Sequence, residues 1–314
     1  MPLRQLYPED SALPGNAKVD IIAVHGLNPY SKGIEAHAWD TWSKPGGKKG
    51  HVWLRDDLPQ LLPEARIFLY EYDSTAVYGE NRDSFIDKAN SLLDAMMMKR
   101  DGVESRPLIL LGHSLGGLLV KQALINAHNN EEYDSIKKAT TGLAFFATPH
   151  RGGDNLLVTL GSVAENIASY LGFQKGGDLM QTLSSGSLFS DIMEEQFRHR
   201  QMDYNIVSFW GTLDNIVPKK STRFMLGGKH EAIVTLIADH SGVCRFDGTS
   251  QVDKDNLELV EFKIKDLYKK ALKHGELSAL PSATGLREGV EDARDVDLAE
   301  RFDKLREGGG NAKN

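Results

Sequence analysis

The stretch Leu110–Leu124, LLGHSLGGLLVKQAL, constrains the fold of this chain more than any other. An apolar run breaks at Gly112, sets Ser114 at the break, and resumes as an apolar run with helical spacing. Gly112-His113-Ser114-Leu115-Gly116 is a G-x-S-x-G pattern, preceded by strand-like PLILL and followed by helix-like LGGLLVKQAL. In that setting a serine sits on a strained strand-to-helix turn, and the flanking glycines keep side chains out of the crowded bend. The helix start also directs N–H groups and a positive dipole end toward any oxyanion formed there. A serine that merely tolerates a turn needs none of this context, so Ser114 is the candidate nucleophile.

An elbow of this kind requires a buried parallel sheet around it, and the rest of the chain supplies one. The pattern predicts strands over VDIIAVHGL (Val19–Leu27), RIFLYEYDS (Arg66–Ser74), PLILLGHS, TTGLAFFATPH, YNIVSFWGT and EAIVTLIAD. Helices are expected over VWLRDDLPQLLPEA (interrupted by Pro59 and Pro63), RDSFIDKANSLLDAMMMKR, LGGLLVKQALINAH and NLELVEFKIKDLYKKALKH, with NPYSKGIEAHAWDTWSKPGGKKG read as loop. Strands alternating with helices argue for an α/β fold with a mostly parallel central sheet and helices on both faces. Residues 1–18, punctuated by Pro8 and Pro14, read as an irregular arm, and 19–272 as the main domain. Residues 152–200 separate two strands by far more than a crossover needs, and read as a helical cap insertion. Residues 273–314 are a charged tail in which Val290, Ala293, Leu298, Phe302 and Leu305 can line one helical face for a protein partner.

Composition excludes several classes. A formal charge of −7 over 314 residues argues against nucleic acid, whose phosphates demand a basic face. The Lys48-Lys49 and Lys219-Lys220 pairs read as solvated surface. One cysteine, Cys244, allows no internal disulfide and no thiolate cluster, and reads as a small core residue. No zinc-type spacing and no dinucleotide fingerprint occur, so neither metal nor cofactor is expected. The proline- and acid-bearing start lacks the apolar run of a signal peptide, and no stretch approaches the ~20 apolar residues of a membrane span. The expectation is a soluble cytoplasmic protein.

A serine hydroxyl needs a base, and the elbow architecture brings its partners in the chain order Ser, Asp or Glu, His. FWGTLDNIVP puts Asp214 just past a strand and a glycine turn, where a carboxylate can orient an imidazole; Asp191 and Asp239 are alternatives. Among later histidines, His274 falls beside lysines in the last helix and His230 in a GGKHE turn. His240, in IADHSGVCRF, follows a strand and is the candidate base. His113 is expected to pack along the elbow, His25 to fix its own loop, and His150, in ATPHRGG, to shape the pocket. Oxyanion donors are expected from the Leu27 and Leu115 N–H groups, with Asn28 as the alternative to Leu27.

These segments resemble the α/β-hydrolase superfamily. More narrowly, VHGLNPYSKG, VWLRDDLPQLLPEARIFLYEY, LLGHSLGGLLVKQAL, FFATPHRGG and IADHSGVCRF resemble a serine esterase/lipase-like group that includes SERAC-type proteins, inositol deacylases of lipid anchors and hydrolase domains of fungal receptor-type proteins. The resemblance covers roughly 19–272 and implies an α/β-hydrolase fold, a nucleophile at Ser114, a histidine at His240, and small-molecule ester or lipid-like substrates. Related sequences often carry a glutamate where this chain has Gly211, whereas Asp214 fits the general hydrolase pattern. Three functions stand: a carboxylic ester hydrolase, an acyltransferase using the same serine, and a binding or signalling module on the same scaffold with weak or no activity.

Overall fold

Strands of a parallel sheet covered on both faces read as near-continuous apolar runs. In the computed structural model, β2 (Val19–Val24), β3 (Ala65–Tyr70), β4 (Leu108–His113) and β5 (Thr140–Phe146) are buried at every position. The structure describes residues 2–8, 17–28, 33–74, 82–150, 166–172, 196–226, 228 and 230–279. The chain divides into two units, Met1–His274 and Gly275–Asn314.

With β1 (Leu3–Tyr7), β6 (Asn205–Gly211) and β7 (Glu231–Leu236), the strands form one seven-stranded sheet in the order β1-β3-β2-β4-β5-β6-β7. All neighbours are parallel except β1, which runs antiparallel to β3. This order, with the strand–serine–helix elbow in its centre, is an α/β-hydrolase fold. Alternation along each strand feeds two cores. Ile22, Val24, Leu108 and Leu110 pack on the side of α4 (Arg82–Lys99) and α5 (Gly116–Asn129), with Leu92, Leu93, Leu119 and Leu124. Ile21, Ala23, Ile109 and Leu111 face the other layer, among Trp42, Trp53, Ile264 and Leu267. That layer contains α1 (Ile34–Thr41), α2 (Trp53–Asp56), α3 (Leu58–Leu61) and α7 (Gln251–Ala279), while α6 (Asp134–Ala139) leads into β5.

Three expectations change. The N-terminal arm contains β1, whose Leu3 and Leu6 are buried; an edge strand needs so few apolar positions that its pattern reads as irregular. The loop after β2 contains α1, which buries His37, Ala38 and Thr41 and leads into Trp42, packed on Trp53 and Phe146. The following helix is two short ones, with Pro59 in the first turn of α3, where its missing N–H costs nothing.

The end of the sheet away from Ser114 is tied by charge. Asp20, fully buried on β2, accepts Arg66 Nε at 2.7 Å and Arg66 Nη2 at 2.8 Å, and also bonds Arg100 and Arg106. Removing the shared carboxylate leaves buried guanidinium groups facing one another. Asp20→Ala is therefore expected to cost about 3–5 kcal/mol in urea unfolding. A loss below about 1 kcal/mol would mean that the arginines find other partners.

Candidate active site

All three candidate residues of the proton chain lie beyond the carboxyl ends of parallel strands, where α/β sheets place their functional loops. Ser114 follows β4 with φ +52°, a left-handed conformation that costs a non-glycine residue roughly 1–2 kcal/mol. Its N–H donates to the Phe146 carbonyl at 2.8 Å, pinning the bend to β5. The elbow is also pressed against the end of β2. A Cβ on Gly116 would lie 2.1 Å from the His25 carbonyl oxygen, and one on Gly26 would lie 3.0 Å from the Ser114 Cβ. Only glycine fits at 116.

The Ser114 hydroxyl is 2.9 Å from His240 Nε2, and His240 Nδ1 is 3.0 Å from Asp214 Oδ2. All three residues are buried. Asp214 Oδ1 accepts the Ile216 and Val217 N–H groups at 2.9 and 3.0 Å, so its turn fixes the carboxylate. Because Nδ1–H donates to that carboxylate, Nε2 presents its lone pair to the serine. This geometry fits a Ser-His-Asp triad, a buried chain able to draw the hydroxyl proton toward the imidazole.

The loop after β2 is held beside the nucleophile. Tyr72 Oη donates to the His25 carbonyl at 2.6 Å, and its ring stacks on the His25 ring at 4.2 Å. His25 Nδ1–H donates to the Gly26 carbonyl at 2.8 Å. Burial, reinforced by His37, lowers the pKa of His25 to about 3, so it stays neutral and fixes the loop. The Asn28 N–H donates to Ser74 Oγ at 2.7 Å. Leu27 is buried next to Gly26, and Leu115 stands at the start of α5. Tyr72 and Ser74 have no sequence signal of their own, since RIFLYEYDS reads as strand throughout; β3 ends at Tyr70, and both residues lie beyond it, Tyr72 in a loop and Ser74 at the start of a helical turn.

The other candidates lie elsewhere. Asp239 Oδ1 accepts the Gly242 N–H at 2.6 Å, and Asp191 lies outside the described residues. His230 offers its carbonyl to the Ile206 N–H ahead of β7, and His274 is exposed on α7. His150 stacks on Phe224, with ring centroids 3.8 Å apart, and meets Phe145 edge-on. Cys244 is buried with its thiol on the Thr41 carbonyl, and burial pushes its pKa up to about 12, which leaves no thiolate at neutral pH. At Gly211 a Cβ would lie 2.2 Å from the Ala238 carbonyl oxygen, so a glutamate has no room at that position. Among the described residues no cluster of His, Cys, Asp or Glu is arranged to hold a metal ion. Most of 152–200 lies outside the described residues; within it, helical residues 166–170 bury Ile167 and Ala168 and bring the Tyr170 ring to 6.3 Å from the His240 ring.

No family model matches the chain. Among curated proteins it is similar to Protein SERAC1 of Bos taurus, 27% identical over 257 residues that cover 73% of this chain and 36% of that protein. Protein SERAC1 of Danio rerio is 30% identical over 159 residues, covering 43% and 22%. The matches thus span about a third or less of the curated relatives' length. Among solved structures, Bacillus licheniformis lipase BlEst2 is similar, with TM-score 0.47, 16% identity, and coverage of 84% of this chain and 99% of that one. A monoacylglycerol lipase of Paleococcus ferrophilus has TM-score 0.42, 14% identity, and coverage of 81% and 94%.

Proposed function

We propose that this α/β-hydrolase-fold chain is a serine hydrolase that cleaves carboxylic esters through an acyl-enzyme on Ser114. The observation that carries the reading is the buried chain Ser114 Oγ–His240 Nε2 and His240 Nδ1–Asp214 Oδ2, at 2.9 and 3.0 Å, on a strained elbow. Ser114 Oγ attacks the ester carbonyl carbon while His240 Nε2 takes its proton. Asp214 holds the imidazole tautomer and stabilises the imidazolium. The Leu27 and Leu115 N–H groups receive the oxyanion, and the position of Gly26 against Ser114 supports that pairing. The tetrahedral intermediate collapses with cleavage of the C–O bond, and His240 returns the proton to the departing alkoxide oxygen. Water, deprotonated by His240, then attacks the acyl carbon and releases the acid and Ser114.

Small-molecule ester or lipid-like substrates follow from the same reading. Helical residues 166–170, which bring the Tyr170 ring to 6.3 Å from the His240 ring, are proposed to border the site. No described helix is long and apolar enough to cross a membrane.

A series of nitrophenyl esters of increasing acyl length, given to the purified protein with and without a competing alcohol, tests the reading. Turnover is expected with a chain-length optimum and with free acid as the main product. Dominant acyl transfer to the alcohol would make the protein a transferase. No turnover of any member would favour a binding module on this scaffold.

A further inference from the structure

His113 is the last residue of β4, next to the nucleophile, and its side chain is used for something other than filling space. Its Nε2 lies 3.0 Å from the backbone carbonyl oxygen of His240, a contact spanning 127 positions of chain. A carbonyl only accepts, so Nε2 carries the proton and donates it. The two rings are 5.5 Å apart between centroids and tilted by 43°. His113 is buried, with only 7% of its surface exposed. Burial, joined by the neighbouring His240, holds its pKa well below 6.5, so the donor persists as a neutral ring beside the imidazolium formed in catalysis.

We infer that His113 is a positioning residue, which ties the elbow carrying the nucleophile to the loop carrying the base through its hydrogen bond to the His240 carbonyl. His240 is then anchored twice, its imidazole by Asp214 and its backbone by His113. The second anchor runs from the residue adjacent to Ser114, so the 2.9 Å Oγ–Nε2 separation is set locally rather than through the length of β7 and its loop. A misplacement of 1 Å between reacting groups costs on the order of 10²-fold in rate. Loss of this tether therefore acts on kcat. It leaves KM nearly unchanged, because His113 donates to the backbone rather than to substrate.

The inference rests on the proposed triad, and the test separates the two. His113→Phe keeps a planar ring and removes the donor, whereas His113→Gln places an amide N–H near the position of Nε2. Relative to wild type, His113→Phe is expected to lose about 10–100-fold in kcat with KM within about 3-fold, and His113→Gln to recover most of the loss. Both variants should unfold in the same denaturant range, which sets a purely structural role apart. A folded His113→Phe with wild-type kcat, equal impairment of both variants, or a change confined to KM would overturn the inference and leave the triad standing. If the wild type turns over no ester, the triad reading fails instead, and the ¹⁵N spectrum of the imidazoles decides on His113 alone. A neutral ring with protonated Nε2 at about pH 6.5, whose Nε2–H signal disappears in His113→Phe, supports the tether; a ring half-protonated at that pH overturns it.

Discussion

Ser114→Ala is expected to leave a folded protein whose kcat/KM for short nitrophenyl esters is lower by at least about 10⁴-fold. The substitution deletes Oγ, the atom that bonds the acyl carbon in the proposed reaction. The remaining groups can still bind an ester and polarise its carbonyl, which accounts for a small residual rate over water. Folding should be indifferent or improved, because among the described residues the hydroxyl bonds only His240, and the left-handed strain at position 114 belongs to the backbone. Circular dichroism with parallel initial-rate measurements checks both halves. A folded Ser114→Ala that retains more than about a tenth of wild-type kcat would remove Ser114 from the chemistry.

Asp214→Asn is expected to lower kcat by about 10³–10⁴-fold at neutral pH. The carboxylate accepts from the Ile216 and Val217 N–H groups through Oδ1 and from His240 Nδ1–H through Oδ2. An amide in its place can keep its oxygen toward the backbone donors, which turns its NH₂ toward His240. The imidazole then presents a lone pair at Nδ1 and a proton at Nε2, the wrong tautomer for accepting a proton from serine. His240→Ala should fall as far as Ser114→Ala, and the double variant no further, since residues acting as one unit are not additive. The alternative acid has a different expectation. Asp239 spends its Oδ1 on the Gly242 N–H, so Asp239→Asn should change kcat by less than about 3-fold. An inactive Asp239→Asn beside an active Asp214→Asn would reverse the assignment.

The parts legible in the amino-acid order are those with a strong local signal. β2, β4 and β5 are mostly apolar runs, with Asp20 the one charge among them, and a run buried on both faces reads unlike surface. The elbow announces itself because glycines, serine and an apolar helix must coincide within a few residues. Asp214 and His240 are legible as candidates for a topological reason. Each follows a strand of a parallel sheet, and such strands deliver their ends to one edge, where the structure brings both to Ser114.

What stays hidden is held by contacts far apart in sequence. β1 is specified by its partner β3 rather than by its own five residues, and α1 by Trp42 packing against Trp53 and Phe146. Tyr72 and Ser74 look like the continuation of a strand, yet they hold the loop beside the nucleophile through the His25 carbonyl and the Asn28 N–H. His113 reads as packing because its partner is a backbone atom, and a carbonyl leaves no mark on the residue type at position 240.

Covalent trapping reads out whether Ser114 is a nucleophile activated by His240. The purified wild-type protein and the Ser114→Ala and His240→Ala variants are treated with a fluorophosphonate. Intact mass is read over time, and the modified peptide is sequenced. One phosphonyl adduct per wild-type chain is expected, carried on Ser114, with no adduct on Ser114→Ala and with labelling of His240→Ala slower by several orders of magnitude if His240 is the activating base. An unlabelled wild type, an adduct on any other residue, or a His240→Ala variant labelled at the wild-type rate would contradict this assignment.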